Sequence, residues 1–143
     1  MSDKGETGVL IVVHGDYGAP MVDAAEAIVG PLELGVASFC FEADPEQVRR
    51  RVQGEIARLD RGSGVLVLTD LCGSTPANVC QALVEDRGNC AVLSGLNLPM
   101  LVKLSTCDRT LGPHRLAEEL HGTSRRSIVV GTAVGENGGS RGD

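Results

Sequence analysis

Short, unbroken apolar runs recur along this chain, and their alternation with helix-like segments limits the fold more than any other feature. The four runs have the length of strands and are rich in Val, Leu and Ile: 8–13 (GVLIVV), 35–41 (GVASFCF), 64–69 (GVLVLT) and 90–96 (CAVLSGL). A strand that is apolar along its whole length is covered on both faces, as in parallel sheets. The pattern therefore predicts a parallel sheet with helices on both sides.

Segments with helix signals separate the apolar runs. The first, 20–29, opens with Pro, is rich in Ala and is followed by Gly30, a typical helix stop. Further helices are predicted over 45–59, 75–85, 99–104 and 113–120, with a short terminal strand at 127–130. We expect one doubly wound α/β domain with flavodoxin-like strand order over 1–134, and a disordered Gly-rich tail over 135–143.

Charge and composition exclude several classes of protein. The net charge of -6 argues against nucleic acid as the main partner, since phosphate neutralisation requires clustered Lys and Arg. The polar first seven residues do not resemble a signal peptide, and no run approaches the roughly 18 apolar residues of a membrane helix. Five cysteines form no CxxC pair. We therefore expect a cytoplasmic protein without direct membrane insertion.

Two residues at strand ends form the predicted chemical centre. His14 follows the first apolar run and Asp70 follows the third. In parallel sheets, ligands bind outside the carboxyl ends of the strands, so neighbouring first and third strands would place these two side chains together. A carboxylate that accepts the Nδ1 proton of a histidine leaves Nε2 with a free lone pair. His14 is then a candidate base, metal ligand or nucleophile, and Asp70 its orienting group.

A predicted anion-binding turn lies next to Asp70. Gly73, Ser74 and Thr75 lead into a helix that begins near Pro76, and a helix N-terminus offers free N–H groups and a favourable dipole to an anion. Serine and threonine hydroxyls add further donors. A nucleophilic histidine, an orienting carboxylate and an anion cradle together predict phosphoryl transfer, which depends mainly on positioning and electrostatics. We expect no cofactor and no metal.

Other interpretations of the same residues remain open at this point. A His at a strand end also suits a metal ligand, as in a small chelatase-like enzyme, although such a site needs further ligands. His114 and His121 lie at the two ends of the last predicted helix, away from the strand ends. The residues alone do not separate a transport role from a regulatory one, because both use the same histidine chemistry.

Three sequence blocks resemble the IIA domain of the mannose-type (mannose/fructose/sorbose) phosphoenolpyruvate-dependent sugar phosphotransferase system. The blocks are VLIVVHGDYGAPMVDAAEAIVG, VLVLTDLCGSTPAN and SGLNLPMLVK, in the family's order. The chain departs from the family pattern at Cys72, Ser74 and Ala77, where an aromatic residue, a glycine and a larger residue are usual. The phosphocarrier subunit of dihydroxyacetone kinase is a related alternative. The loop after its third strand usually lacks the Gly-Ser/Thr-Pro sequence that this chain has at 73–76.

The resemblance implies a phosphohistidine carrier. His14 would accept a phosphoryl group from phospho-HPr, with Asp70 orienting it, and would pass the group to a separate IIB protein or act as a regulatory signal. The resemblance also implies a homodimer in which residues 127–130 pair as a strand with the sheet of the neighbouring subunit. Such exchange protects an open sheet edge and suits a two-fold dimer.

Overall fold

Four strands and five helices make up the structure, a computed structural model that describes residues 5–131. In chain order the elements are β1 (Gly8–His14), α1 (Gly18–Val29), β2 (Gly35–Phe39), α2 (Pro45–Leu59), β3 (Val65–Thr69), α3 (Thr75–Glu85), β4 (Cys90–Ser94), α4 (Leu98–Leu104) and α5 (Pro113–Arg126). All four predicted apolar runs form strands. The end of the predicted domain, 132–134, and the predicted tail, 135–143, lie outside the described residues.

The strands form one parallel sheet in the order β2-β1-β3-β4. This order confirms the flavodoxin-like prediction, because the first and third strands are direct neighbours. Val12 lies opposite Thr69 in the β1–β3 register, so β1 and β3 end at the same edge of the sheet. Side chains that follow these two strands are therefore brought together.

The core consists of two apolar layers, one on each face of the sheet. Alternate residues of β1 point to opposite faces: Val9, Ile11 and Val13 pack with α1, α4 and α5, whereas Leu10 and Val12 pack with α2 and α3. Every residue of β1 from Val9 to Val13 is fully buried. Burial on both faces explains why the strand is continuously apolar and why the sheet carries helices on both sides.

Two strands are shorter than the sequence predicts. β2 ends at Phe39, because the chain turns there and the Ala43 N–H donates to the Cys40 carbonyl over 3.1 Å. β4 ends at Ser94, because Gly95 adopts a positive φ of 99° and turns the backbone out of the strand. In both cases a turn, rather than a change in hydrophobicity, terminates the strand.

The last helix is longer than predicted and the short strand after it is not formed. α5 continues to Arg126, and its buried Leu116, Leu120 and Ser124 lie four residues apart on the face that packs on the sheet. In the described part of the chain, residues 127–130 form no strand. Among residues 5–131, no helix has the length and apolar character needed to cross a bilayer.

Glycine substitutions at two positions test this architecture. Gly64 has a φ of 84°, and a Cβ there would lie 1.9 Å from the Asn89 carbonyl oxygen, which accepts the Val65 N–H beside it. Gly64→Ala is expected to lower the free energy of unfolding by at least about 2 kcal/mol, because it adds backbone strain and a clash with main chain. Urea denaturation measures this loss.

Gly54→Ala is the matched control. Gly54 is exposed within α2, and a Cβ there meets no atom within 4 Å. Alanine removes the entropic cost of a helical glycine and is expected to raise the free energy of unfolding by about 0.5–1 kcal/mol. Equal effects of the two substitutions would contradict the packing described at the start of β3.

Candidate functional site

The site lies at the carboxyl edge of the sheet, where β1 and β3 end. His14 is the last residue of β1 and Asp70 is the first residue after β3. The parallel pairing of these two strands places the two side chains in direct contact although 56 residues separate them in sequence. The structure thus brings together the pair that the strand-end argument selected.

One carboxylate oxygen of Asp70 holds His14 at two points. Oδ2 lies 2.8 Å from His14 Nδ1 and accepts the His14 backbone N–H over 3.1 Å. The histidine side chain is 18% exposed and the aspartate side chain 7% exposed, so the pair is largely shielded from water. With the proton on Nδ1 donated to Asp70, Nε2 carries the free lone pair.

Tyr17 is a third member of this cluster, and sequence reasoning missed it. Its hydroxyl donates to the same Oδ2 of Asp70. Tyr17 lies directly before α1, and its carbonyl accepts the Met21 N–H in the first turn of that helix. The only sequence signal was its position three residues after His14, which is uninformative without knowing how the chain turns between β1 and α1.

The charge state of Asp70 results from opposing effects. Burial by itself raises the pKa of this carboxyl, but the hydrogen bonds from the Tyr17 hydroxyl and the His14 N–H, together with the charge and side-chain hydrogen bond of His14, outweigh it. The pKa of Asp70 is therefore lowered from its ordinary value. Asp70 is therefore ionised at neutral pH.

A cleft of about 270 Å³ opens beside His14. Its walls come from β1, from the segment after β2, from α2 and from the start of α3 with the turn before it: His14, Cys40, Phe41, Ala43, Val48, Gly73, Ser74, Thr75 and Pro76. The ring of Phe41 contacts that of His14 edge-on, with centroids 5.1 Å apart, and Phe41 is 82% exposed. The histidine and the predicted anion-binding turn therefore share one cavity.

The turn at 73–75 has the geometry of a capped helix start. Ser74 is the N-cap of α3, and its hydroxyl oxygen accepts the Ala77 N–H over 3.2 Å. Ser74 retains its own hydroxyl proton as a donor. Gly73 has a φ of 91°, which favours glycine, and its carbonyl accepts the side-chain amide of Asn78.

This turn offers a ligand fewer free backbone N–H groups than most helix N-termini do. Pro76 has no N–H and the Ala77 N–H is taken by the cap, so the backbone N–H of Thr75 is the first-turn donor beside the cleft. The Thr75 side chain is exposed and adds a hydroxyl. The first turn of α3 contains no acidic residue, so no carboxylate of that turn repels an anion from the positive end of the helix dipole.

The other two histidines lie elsewhere. His114 Nε2 is 3.4 Å from the Gly88 carbonyl oxygen. His121, predicted at the end of the last helix, lies within α5 because that helix continues to Arg126, and it borders a cavity beside β4. Within the range 5–131, no three His, Cys, Asp or Glu side chains are grouped as a metal site would require. Around His14, the structure combines an imidazole that contacts Asp70 through Nδ1 with a cleft that is bordered by hydrogen-bond donors.

Comparison with known proteins relates this geometry to a family. Residues 8–134 match the family model EIIA-man, described as "PTS system fructose IIA component". The mannose-specific EIIAB component of the PTS of Escherichia coli K12 is 31% identical over 96 residues, which is 66% of this chain. The chain matches only 30% of the length of that relative.

Solved structures show the same fold. The phosphotransferase system component EIIA from Streptococcus agalactiae superimposes with a TM-score of 0.76 at 31% identity, covering 87% of this chain and 96% of that one. The mannose/sorbose-specific IIA subunit from Enterococcus faecalis gives a TM-score of 0.81 at 21% identity, covering 91% and 98%. At 21% identity, the similarity to the Enterococcus faecalis subunit concerns the fold alone.

The contact between Tyr17 and Asp70 is directly measurable. Tyr17 is the sole tyrosine of a chain without tryptophan, so tyrosinate absorbance reports this residue alone. Burial and the hydrogen bond and charge of Asp70 raise the pKa of the phenol to about 12. We expect an alkaline absorbance titration of the folded protein to give that value.

Asp70→Ala provides the comparison. Without the carboxylate, the phenol pKa is expected to fall toward its ordinary value of 10.0. Because the folded protein holds this proton more tightly than the unfolded chain, the contact stabilises the fold below pH 10 and that contribution is lost as the pH rises toward 12. Identical titrations of the two proteins would show that Tyr17 and Asp70 are not in contact.

Proposed function

The chain belongs to the family of fructose IIA components of the sugar phosphotransferase system, and on this premise we propose that it is a phosphocarrier whose acceptor atom is Nε2 of His14. The observation that carries the proposal is the 2.8 Å contact between His14 Nδ1 and Asp70, which leaves Nε2 as the nucleophilic nitrogen. Asp70 is the positioning residue of this pair. The proposed reaction is transfer of a phosphoryl group from one protein to another.

The proposed step is an in-line displacement at phosphorus. The lone pair of His14 Nε2 forms the new N–P bond while the N–P bond of the phosphorylated donor breaks, and the electron pair of that bond returns to the donor's nitrogen. His14 gains positive character as the bond forms, and its Nδ1 proton stays shared with Asp70. The buried carboxylate at 2.8 Å stabilises that charge.

The turn at 73–75 supports the incoming phosphoryl group in this proposal. The transition state spreads negative charge over the phosphoryl oxygens, and donors fixed in advance are the main source of its stabilisation. The N–H and hydroxyl of Thr75, the hydroxyl of Ser74 and the backbone of Gly73 border the same cleft as His14. The N-terminus of α3 adds its dipole.

The partners follow from the family and not from the geometry of the site. The proposed donor is phospho-HPr, and the proposed acceptor is a separate IIB protein. Exposed apolar side chains lie close to the His14–Asp70 pair: Phe41, 82% exposed, contacts His14, Tyr17, 43% exposed, contacts Asp70, and Leu71, 55% exposed, follows Asp70 in the chain. Such apolar groups suit the transient docking of another protein. A cytoplasmic location is part of this proposal, since both partners work there.

A homodimer with exchanged terminal strands is also proposed. Within residues 5–131, β4 has a neighbouring strand on one side only, and an open edge is a site for strand addition. Ile128, Val129 and Val130 follow α5 with exposures of 81%, 64% and 85%. Three consecutive exposed apolar residues, of which Ile128 borders a cavity with Leu93 and Ser94 of β4, support pairing with a second subunit.

Phosphorylation of His14 is tested with purified components. Incubation with phosphoenolpyruvate, enzyme I and HPr should add one acid-labile phosphate per chain, and His14→Ala should abolish it, because Nε2 is the acceptor. Intact-mass spectrometry at neutral pH counts the phosphates.

His114→Ala and His121→Ala are matched controls, since both remove a histidine outside the cleft and should retain full labelling. Labelling that survives His14→Ala, or that disappears in either control, would contradict the assignment of the acceptor.

The dimer is tested by charge substitution in the exposed segment. Ile128→Asp with Val130→Asp should convert the protein from dimer to monomer, because carboxylates there would be desolvated in an intersubunit sheet. Sedimentation equilibrium gives the mass. Ile28→Asp is the control, since Ile28 is 63% exposed on α1 and should leave the mass unchanged. A monomeric wild-type protein would refute the dimer.

A further inference from the structure

Three hydrogen-bond donors converge on a single oxygen of Asp70. Oδ2 accepts the His14 backbone N–H, the His14 Nδ1–H and the Tyr17 hydroxyl. The other oxygen, Oδ1, is buried and has no hydrogen-bond partner among the described residues. A carboxylate oxygen has about two lone-pair sites, so three donors at Oδ2 share its electron density. The Tyr17 hydroxyl therefore competes with the imidazole Nδ1–H of His14 for the lone pairs of Oδ2.

We propose that Tyr17 is a positioning residue that weakens the hydrogen bond between Asp70 and His14 and so makes phosphorylated His14 a more ready phosphoryl donor. This inference rests on the proposed function and adds to it a residue that sets the lifetime of the phosphohistidine. Tyr17 itself touches neither the acceptor nitrogen nor the cleft in this structure. It acts through Asp70.

The direction of the effect follows from the leaving group. When a phosphoryl group departs from Nε2, the electron pair of the N–P bond returns to the imidazole. An Asp70 that pulls strongly on the Nδ1 proton makes the imidazole more basic and a poorer leaving group. A hydroxyl that occupies part of Oδ2 reduces that pull, so the N–P bond breaks more easily.

The position of Tyr17 is fixed well enough for this role. Its backbone carbonyl accepts the Met21 N–H over 3.0 Å at the start of α1, and its ring lies 3.4 Å from where a Cβ on Gly15 would be. The ring is 43% exposed while its hydroxyl reaches the largely buried Asp70. Removing the hydroxyl alone thus changes the donor set of Asp70 without opening the core.

Hydrolysis of the isolated phosphoprotein tests the inference without an acceptor. In this reaction a water oxygen forms a bond to phosphorus, the N–P bond breaks, and Nε2 takes up a proton as phosphate leaves. Tyr17→Phe should slow this loss by about 2- to 10-fold, the factor expected for one hydrogen bond. The decay is followed by intact mass at constant pH and temperature.

Replacement of Tyr17 by 3-fluorotyrosine gives the opposite change. The chain has one tyrosine, so incorporation from the growth medium modifies this residue alone. A more acidic phenol is a stronger donor to Asp70 and should shorten the lifetime of the phosphohistidine. Opposite effects of the two changes are expected of a competing donor, whereas a purely structural role predicts no acceleration by fluorine.

A double-mutant cycle with Asp70→Ala tests whether Tyr17 acts through the carboxylate. Asp70→Ala should speed hydrolysis, and Tyr17→Phe should have no further effect in that background. Variants that load slowly from phospho-HPr are phosphorylated with phosphoramidate. Thermal unfolding of each variant verifies that the fold is retained.

The outcomes separate this inference from the proposed function. A wild-type protein that takes no phosphate on His14 would overturn the proposed function and this inference with it. Normal labelling of His14 combined with equal phosphohistidine lifetimes in wild type and Tyr17→Phe would overturn the inference alone. An effect of Tyr17→Phe that persists in the Asp70→Ala background would also overturn it.

Discussion

The parallel pairing of β1 with β3 is the constraint on which the rest of this molecule depends. It places Val12 opposite Thr69 and so makes the two strands end at one edge. His14 and Asp70, which are far apart in sequence, then meet at 2.8 Å. The pairing is itself secured by burial, because both strands are covered by helices on both faces and every residue of β3 is buried. The contact between His14 and Asp70 is thus a consequence of core packing.

Asp70 combines two demands that oppose each other. Burial makes its contact with His14 strong by excluding water, and burial also disfavours the charge that the contact requires. Donors to Oδ2 resolve the conflict, since they stabilise the carboxylate and keep its pKa below the ordinary value. The same donors divide the electron density of one oxygen. Firm positioning of His14 requires a strong hydrogen bond to Asp70. Ready release of a phosphoryl group from His14, in the proposed function, requires a weaker one.

The surface around the site and the open edge of the sheet are both apolar, but they have different physical meanings. The exposed ring of Phe41 lines the cleft beside His14, and such an exposed apolar group suits the proposed transient docking of a partner. Ile128, Val129 and Val130 are exposed after α5, and Ile128 borders a cavity with Leu93 and Ser94 of β4, whose outer edge has no neighbouring strand among the described residues. Main-chain hydrogen bonds at that edge would stabilise the lasting association of the proposed dimer. The proposed phosphocarrier, in contrast, must release each partner protein after transfer.

The sequence by itself determined the layered α/β fold and the identity of the residues at the strand ends, whereas the flavodoxin-like strand order was an expectation that the structure confirms. Continuous apolar runs are stable as strands of a sheet that is covered on both faces. In a parallel sheet the carboxyl ends of the strands lie at one edge, so the residues that follow them are candidates for the functional site. Strand ends at Phe39 and Ser94 were not predicted, because local turns cut short runs that stay apolar. Only the tertiary structure decided that Tyr17 reaches Asp70, that Phe41 packs on His14 and that residues 127–130 form no strand in the part of the chain that the structure describes. These contacts depend on the path of loops between elements, and no periodicity in the chain records that path.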